Sequence, residues 1–377
     1  MKAILFTQTR QATDHLYPFT LTRKVQDIRI GILTLREKWE LVLGAETFEQ
    51  TDFLTEPFYY INSAVLPDEK FASRVKQLKV GEALSAADDN ILAALITSNH
   101  INNRTKKIKP EKTFTVENVK LIEYPWHIFE LNKYALAFDF ALLTKSRKSA
   151  PVDKTNSVSG KENIFIAKGA MVKHCIINAE EGPVYIGKNA LVMEGSCLRG
   201  PVSIGDGAVV KMGAKIYGAT TIGPGCIVGG EIKNSVLFAN SNKAHDGYLG
   251  DSVIGEWCNL GAGTSNSNLK NTAGNIDVHL RSKKITAGIK CGVMMGDFSR
   301  TAINTAINTG TVIGVSANVF GNGFTPKHIP SFSWGFTKPV KYKLDKALQD
   351  AERWKALKGQ DLSEAEESIL KNIYKTS

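Results

Sequence analysis

The stretch VYIGKNALVMEGSCLRGPVSIGDGAVVKMGAKIYGATTIGPGCIV, residues 184–228, repeats an aliphatic residue at every sixth position. A mostly small residue stands two positions before each of them. An amphipathic helix has a hydrophobic period of 3.6 residues and a half-buried strand a period of 2, so neither explains a period of six. The period instead predicts a parallel β-helix of hexapeptide repeats, with three flat faces per coil and stacked aliphatic side chains inside. The aliphatic positions are Ile186, Val192, Leu198, Ile204, Val210, Ile216, Ile222 and Val228.

Glycine follows the aliphatic residue once per coil, at Gly187, Gly205 and Gly223, and we expect it to permit the turn. The repeat returns at Ile254 and Leu260, and again at Ile307, Ile313 and Val319. The interval from Ile254 to Ile307 is not a multiple of six, which predicts an inserted loop at about residues 268–284. Such a loop either carries a binding site or is a tolerated surface insertion.

The first part of the chain alternates strand-like and helical segments, which predicts an α/β domain. KAILF is a predicted strand, RIGILTLREKWELVL passes from strand to helix, and DDNILAALI and EYPWHIFELNKYALAFDF are predicted helices. Residues 145–163 are polar and form the predicted boundary. Two helices separated by Gly359 are predicted after the coils. The predicted domains are an α/β domain at 1–150, the β-helix at 151–335 and C-terminal helices at 336–377.

The composition excludes several classes of protein. The 377 residues are 43% hydrophobic and 22% charged, which is typical of a globular chain and not of a disordered one. We find neither an apolar run of membrane-spanning length nor a signal peptide, and therefore expect a cytoplasmic protein without a membrane partner. The lysines behind the net charge of +10 are scattered, which favours anionic small molecules over nucleic acid. Five cysteines without a CxxC pair predict reduced thiols.

His245 is the candidate catalytic residue. It lies in NKAHDGYLGDSVIG, where the six-residue rhythm breaks just before Ile254. An imidazole that titrates near neutrality can act as a general base, but a structural histidine in this loop is an equally open interpretation. The seven histidines lack the spacing of a three-histidine metal site, and the metal-binding residues stay unknown.

The segment GGEIKNSVLFANSNKAHDGYLGDSVIGEWCNLGAGTSNSNLK, residues 229–270, resembles a known acetyltransferase domain. The family is that of the bifunctional UDP-N-acetylglucosamine pyrophosphorylase/glucosamine-1-phosphate N-acetyltransferases, particularly their archaeal-type members. GDFSRTAINTAINTGTVIG, residues 296–314, resembles the family's following coil. The resemblance covers about residues 180–325 and implies a left-handed β-helix that forms a homotrimer with its site between subunits. It also implies acetyl transfer from acetyl-CoA to glucosamine 1-phosphate.

The resemblance assigns roles to individual residues. His245 matches the family's catalytic base, and Asn268 matches the asparagine that positions base and substrate. In bacterial members an arginine precedes the substrate-binding lysine, whereas this chain has Tyr217, with Lys215 nearby. This departure leaves the identity of the sugar open. The implied substrate-binding residues are Lys233, Tyr248 and Glu231, and the implied coenzyme A contacts are Ala262, Ile303 and Gly321.

The first domain resembles a reduced sugar nucleotidyltransferase through YPFTLTRKVQDIRIGILTLREKWE, residues 17–40, and EYPWHIFELN, residues 123–132. The usual glycine-rich nucleotide loop is replaced by FTQTRQATDHLYP, in which Arg10, with Arg23 and Lys24 beyond it, offers charge instead. No clear Asp stands at the metal position, where YYINSAVLP offers Asn62 instead. The resemblance implies uridylyl transfer from UTP with Mg²⁺, although an inactive relic is an equally open interpretation. Transfer to another sugar phosphate, or a non-catalytic regulator that binds sugar nucleotides, also stays open.

Overall fold

A computed structural model of the chain describes residues 3–48, 56–102, 107–281 and 283–377. The chain divides into two compact units. The first comprises Met1–His15, Lys24–Ile28 and Leu33–Tyr124, and the second comprises Leu16–Arg23, Arg29–Ile32 and Pro125–Ser377. The contacts thus place the helix Asn132–Thr144 in the second unit, ahead of the boundary expected near residue 150.

The first unit contains a mixed six-stranded sheet, which confirms the predicted α/β architecture. The helix Leu35–Leu43 begins at a capping box between Thr34 and Glu37 and ends at Gly44, whose positive φ of 59° suits glycine. The other helices are Arg10–His15 and Glu69–Gln77, with 3-10 turns at Val25–Asp27 and Ser98–His100. The sheet order is Glu46–Thr47, Ala3–Thr7, Phe58–Asn62, Ile91–Ile96, Glu82–Ser85, Lys112–Thr115. Short strands lie at Leu33–Thr34, and at Val65–Leu66 paired with Lys120–Leu121.

The segment DDNILAALI is not a helix, so that prediction is wrong. Ile91–Ile96 is a strand between two antiparallel neighbours, and all but its first residue are buried. A short apolar run buried on both faces has no period that separates strand from helix. Asp89, expected in a helical N-terminus, has a φ of 62° in the turn that joins this strand to Glu82–Ser85.

The second unit is a parallel β-solenoid, which confirms the predicted hexapeptide β-helix. Its first sheet contains Ser157–Ser159, Ile176–Asn178, Cys197–Arg199, Lys215–Tyr217, Glu231–Lys233 and Tyr248–Gly250, and is followed by the pair Ser265–Asn266 and Ala306–Ile307. Its second sheet contains Ile164–Ile166, Val184–Ile186, Val202–Ile204, Thr220–Ile222, Val236–Leu237, Val253–Ile254, Met294–Met295, Val312–Ile313 and His328–Ile329. Its third sheet contains Met171–Val172, Leu191–Val192, Val209–Val210, Ile227–Val228, Asn242–Lys243, Asn259–Leu260, Arg300–Thr301, Asn318–Val319, Ser333–Trp334 and, antiparallel, Val340–Lys341.

The core of the solenoid is the stack of inward-facing aliphatic residues. Ile186, Ile204 and Ile222 are partners in successive coils and are completely buried. Glycine follows them for a different reason from the predicted one, because φ is not positive at Gly187, Gly205 or Gly223. A Cβ at Gly205 would lie 2.5 Å from the backbone nitrogen of Pro224 in the next coil. These glycines therefore allow successive coils to approach closely.

The predicted insertion lies between Asn268 and Cys291, whose backbone hydrogen bond of 3.0 Å closes its base. It contains an antiparallel hairpin of the strands Asp277–Leu280 and Lys283–Thr286. The coil register resumes beyond it, because Asn259 pairs with Arg300. The inserted segment is thus a folded hairpin that leaves the coil stack uninterrupted.

The helices of the second unit precede and follow the coils. Those that precede them are His127–Glu130 and Asn132–Thr144, and those that follow are Leu344–Ala356 and Glu364–Thr376, as predicted. Short 3-10 turns lie at Phe19–Leu21 and Lys161–Asn163, and a short strand at Arg29–Ile30. Within the described ranges, none of the helices has the length and hydrophobicity of a membrane span.

Aromatic residues at one corner of the solenoid pack against the C-terminal helices. Trp257, Phe298 and Phe332 occupy equivalent positions in their coils with φ values of 55–60°, where earlier coils have Gly225 and Asn240. A left-handed backbone costs a bulky residue about 1–2 kcal/mol. The three side chains are buried in one cluster that includes residues of both helices, among them Ala347 and Leu370. Burial of these rings offsets the strain.

Truncation after residue 335 is expected to impair solubility or assembly. The missing helices would expose Trp257, Phe298 and Phe332, each of which is stabilised by about 1.5–3 kcal/mol through burial. Size-exclusion chromatography with light scattering measures the result, and the untruncated chain is the control. A truncated chain that remains soluble, folded and of unchanged mass would contradict the expectation.

Candidate active site

His245 lies on an exposed corner of the solenoid, between the strands Asn242–Lys243 and Tyr248–Gly250. Here the third sheet of one coil leads into the first sheet of the next coil. We call this edge of the prism the ridge. His245 follows Asn242 by three residues, and Ala262, Ile303 and Gly321 follow the partners of Asn242 in the next three coils at the same interval.

The register therefore stacks His245, Ala262, Ile303 and Gly321 along the ridge, about 4.8 Å apart from coil to coil. Backbone contacts support this alignment, since the amide of Asn304 donates to the carbonyl of Ala262 at 2.7 Å. The side chain of Ile303 is 70% exposed, so an apolar surface is available on the ridge. The predicted base and the three predicted coenzyme A contacts thus share one edge of the molecule.

Polar side chains form a cluster on the first sheet, next to the ridge. The hydroxyl of Tyr217 donates to Oε1 of Glu231 at 2.6 Å, and Nζ of Lys233 lies 5.9 Å from the centre of the Tyr217 ring. The hydrogen bond to Glu231, together with burial, raises the pKa of Tyr217 to about 12. Tyr217 therefore stays neutral, and Lys233 is the cation beside it.

Tyr248 and Asn268 form the second half of this cluster. Nδ2 of Asn268 donates to the hydroxyl of Tyr248 at 3.2 Å and also to Asp251. Burial and the nearby carboxylates of Asp251 and Glu231 raise the pKa of Tyr248 to about 12. The structure thus joins Asn268 to Tyr248, whereas no hydrogen bond connects Asn268 with His245 within the described residues of one chain.

Asp251 is a residue of this cluster that the sequence reasoning missed. Its two carboxylate oxygens accept hydrogen bonds from Asn268 and from Nδ2 of Asn234, the latter at 2.6 Å. Asp251 is buried, so it fixes the orientation of both amides. Both residues stand inside the segment 229–270 that carries the resemblance, Asn234 in EIKNS and Asp251 in GDS. The resemblance singled out the segments that contain Asn234 and Asp251, but only the fold shows that their side chains form a hydrogen bond.

The candidate nucleotide site of the first unit lies where two parallel strands end. Thr7 and Asn62 are partners at the carboxyl ends of Ala3–Thr7 and Phe58–Asn62, the edge where α/β sheets bind ligands. The helix Arg10–His15 occupies the place of the glycine-rich loop, and Thr9 caps it by accepting from the amide of Ala12 at 3.0 Å.

The predicted nucleotide-binding cations differ in their surroundings. Arg10 is exposed, with Asp14 at 3.9 Å, and Lys24 is exposed as well. Arg23 belongs to the second unit and is mostly buried, with 10% of its side chain exposed and hydrogen bonds to Asp297 and, at 3.0 Å, to Glu256. Its nucleotide-binding role stays a prediction, and the two carboxylates that hold the guanidinium would compete with a nucleotide phosphate for it.

The described residues do not fit a protein-built Mg²⁺ site. The oxygen expected at the metal position, Oδ1 of Asn62, already accepts a hydrogen bond from the amide of Ala64 at 3.0 Å, which leaves it one lone pair. Across the described ranges no three His, Cys, Asp or Glu side chains converge, and the five cysteines carry free thiols.

Comparison with known proteins finds one family and several relatives that are similar to this chain. A family described as "Sugar nucleotidyl transferase" matches residues 3–148. The "Bifunctional protein GlmU" of Methanocaldococcus jannaschii is 34% identical over 207 residues, which are 52% of this chain and 43% of that protein. The "Bifunctional sugar-1-phosphate nucleotidylyltransferase/acetyltransferase" of Sulfurisphaera tokodaii is 33% identical over 198 residues, 49% of this chain and 43% of its own length.

The chain thus spans less than half the length of these curated relatives. A solved Arabidopsis UDP-N-acetylglucosamine acyltransferase covers 59% of this chain and 88% of its own at 15% identity, but its TM-score of 0.31 is too low to support an argument. Residues 3–148 match the sugar nucleotidyl transferase family, and about half of the chain is similar to archaeal proteins named as bifunctional nucleotidylyltransferase/acetyltransferases.

Proposed function

We propose that the β-solenoid transfers the acetyl group of acetyl-CoA to the amine of glucosamine 1-phosphate. The observation that carries the proposal is the alignment of His245 with Ala262, Ile303 and Gly321 along the ridge, beside the polar cluster of Lys233 and Tyr248. An acetyl-CoA molecule extended along the ridge would contact backbone and the apolar side chain of Ile303, and its thioester would lie at the imidazole of His245. The name of the Sulfurisphaera tokodaii relative agrees with a sugar 1-phosphate as the substrate.

In the proposed reaction the amine nitrogen attacks the thioester carbonyl, so that a C–N bond forms and the C–S bond breaks. His245 accepts the proton that the amine loses and returns it to the departing thiolate of coenzyme A. The amide of Ala262, one coil along the ridge, has no hydrogen-bond acceptor among the described residues. A backbone N–H in that place is suited to stabilise the oxyanion.

The acceptor would be held by the cluster on the first sheet. Lys233 supplies the positive charge for a phosphate, and Tyr248 a hydroxyl that Asn268 orients. Glu231 is engaged by the Tyr217 hydroxyl, so its role is to fix Tyr217. Because a neutral tyrosine replaces the arginine of bacterial members, we expect phosphate to be bound mainly by Lys233, with Lys215 in the adjoining strand.

A homotrimer would complete this site. The imidazole of His245 is exposed and makes no hydrogen bond to any described residue of its own chain. A general base is normally oriented by a second group, so a neighbouring prism along the ridge is the natural source of that group. We accordingly propose a cytoplasmic trimer with acetyl-CoA bound between subunits.

The test of the function is thiol release from acetyl-CoA in the presence of glucosamine 1-phosphate. Release that depends on the sugar phosphate supports the proposal. No release from folded protein would overturn this acceptor and direct the same assay to other amino-sugar phosphates. Binding of sugar nucleotides without turnover of any acceptor would favour the non-catalytic regulator.

Lys233→Ala is expected to raise the KM for the sugar phosphate about tenfold or more, with a smaller change in kcat. The variant loses one charge-assisted contact to the phosphate, which is formed in the ground state as well as in the transition state. Initial rates at varied sugar phosphate measure the effect, and the exposed Lys188→Ala, on the same solenoid, is the control. An unchanged KM would remove Lys233 from phosphate binding.

The second candidate function is uridylyl transfer from UTP to the acetylated product. The match of residues 3–148 to the sugar nucleotidyl transferase family favours it, whereas the helix in place of the glycine-rich loop favours an inactive relic. Mg²⁺ would then arrive with the UTP phosphates, which often supply part of its coordination. Pyrophosphate release that requires both UTP and N-acetylglucosamine 1-phosphate would support uridylyl transfer. Its absence would favour an inactive relic.

A further inference from the structure

Lys243 is a buried amine inside the solenoid. It faces inward at a position where the two preceding coils have Val210 and Val228, and its side chain is only 2% exposed. A lysine is rarely placed in such a column, because the charged form loses its hydration. Burial lowers the pKa of Lys243 to about 8, although the carboxylate of Asp246 acts in the opposite direction.

The ammonium group of Lys243 forms hydrogen bonds with backbone carbonyls in two corners of the ridge. Nζ donates to the carbonyl of Gly229 at 3.2 Å and to the carbonyl of His245. The amine thus binds from inside the prism to the peptide whose side chain is the proposed base. An apolar residue at this position would leave both carbonyl oxygens without this donor.

The corner beneath His245 is shorter than the other corners of the ridge. Four residues join the sheets at 211–214, 244–247 and 261–264, but only Gly229 and Gly230 do so in the coil between the first two. A Cβ at Gly229 would lie 2.5 Å from the carbonyl oxygen of Ala244, and one at Gly230 would lie 2.9 Å from that of His245. The corner that carries His245 therefore lies directly against the backbone of Gly229 and Gly230.

We propose that Lys243 is a positioning residue, which holds the carbonyl of His245 from inside the solenoid so that the imidazole stays in line with Ala262. The inference rests on the proposed function only in that His245 is the base. Two separate features support it. The first is the pair of hydrogen bonds that the amine of Lys243 donates, and the second is the short corner Gly229–Gly230, against which residues 244–247 lie.

The first test compares the kinetics of Lys243→Met, Lys243→Gln and the wild type. Methionine keeps the volume but has no donor, so we expect kcat for acetyl transfer to fall about tenfold or more, as a small displacement of a catalytic group does. The KM for both substrates should change less than about twofold, since the binding residues are untouched. Lys243→Gln keeps a donor and should recover part of the rate.

Lys355→Met is the matched control, since it also removes a buried amine. Its partner is Glu366, at 2.6 Å in the C-terminal helices, away from the ridge corners. We expect it to lower stability but not kcat at a temperature where the protein is folded. Full kcat in Lys243→Met would overturn the proposal.

The second test needs no activity. In hydrogen exchange, the amides of Gly263 and Glu231 report on the corner, because they donate to the carbonyls of Asp246 at 3.0 Å and Gly247 at 3.2 Å. We expect both to exchange faster in Lys243→Met than in the wild type, while the amide of Asn304 stays unchanged. Equal exchange rates would overturn the positioning role. If the wild type fails to release thiol, only the proposed function is overturned, because the hydrogen-exchange comparison tests the role of Lys243 without any activity.

Discussion

Replacement of His245 by alanine is expected to lower the rate of acetyl transfer by about two to four orders of magnitude, the range that general-base catalysis contributes. The variant removes the group that accepts the amine proton, and the described residues of the chain place no other histidine on the ridge between Ala262 and Lys211. The KM for acetyl-CoA should change little, because the track of Ala262, Ile303 and Gly321 stays intact.

The measurement is thiol release under saturating acetyl-CoA, and a second histidine of the ridge supplies the control. His174 is also exposed, at the corner that follows the strand Met171–Val172 several coils away. His174→Ala should therefore retain the wild-type rate if the effect belongs to the position of His245. A near-wild-type rate in His245→Ala would remove His245 from the role of base.

The regular part of the fold could be predicted from the sequence because it repeats. The six-residue period places Ile186, Ile204 and Ile222 in the core, since each coil imposes the same environment on the same position. The two C-terminal helices were equally predictable from their own patterns. What failed was local: the strand Ile91–Ile96 is apolar throughout, so its sequence has no period to read.

The site was predictable only in part. Motif resemblance singled out His245, Lys233, Tyr248 and Asn268, but it could not show that Asp251 orients Asn268. Nor could it show that Tyr217 donates to Glu231, because such pairs depend on the register between coils. Lys243 gave no signal at all, since only the fold shows that its side chain points inward.

The ion pairs of Arg23 could not be predicted from the sequence, because their carboxylates, in Glu256 and Asp297, stand more than 230 residues away along the chain. Burial alone would lower the pKa of Arg23, but the carboxylates of Asp297 and Glu256 outweigh that effect and raise it. Asp297 is itself buried and accepts further hydrogen bonds from Thr22 at 2.7 Å and from the amide of Glu256 at 2.8 Å. The guanidinium also lies 4.9 Å from the ring centre of Phe238.

Arg23→Met is therefore expected to lower the free energy of unfolding by about 3 kcal/mol, because it leaves the carboxylate of Asp297 buried without its cation. For a unit of this size the apparent Tm should fall by roughly 5 °C in calorimetry. The exposed Arg10→Met should leave Tm unchanged, and Arg23→Met combined with Asp297→Asn should recover part of the loss, because the uncompensated charge is then absent. A selective rise in the KM for UTP with full stability would support Arg23 as a nucleotide-binding residue and contradict the buried ion pair.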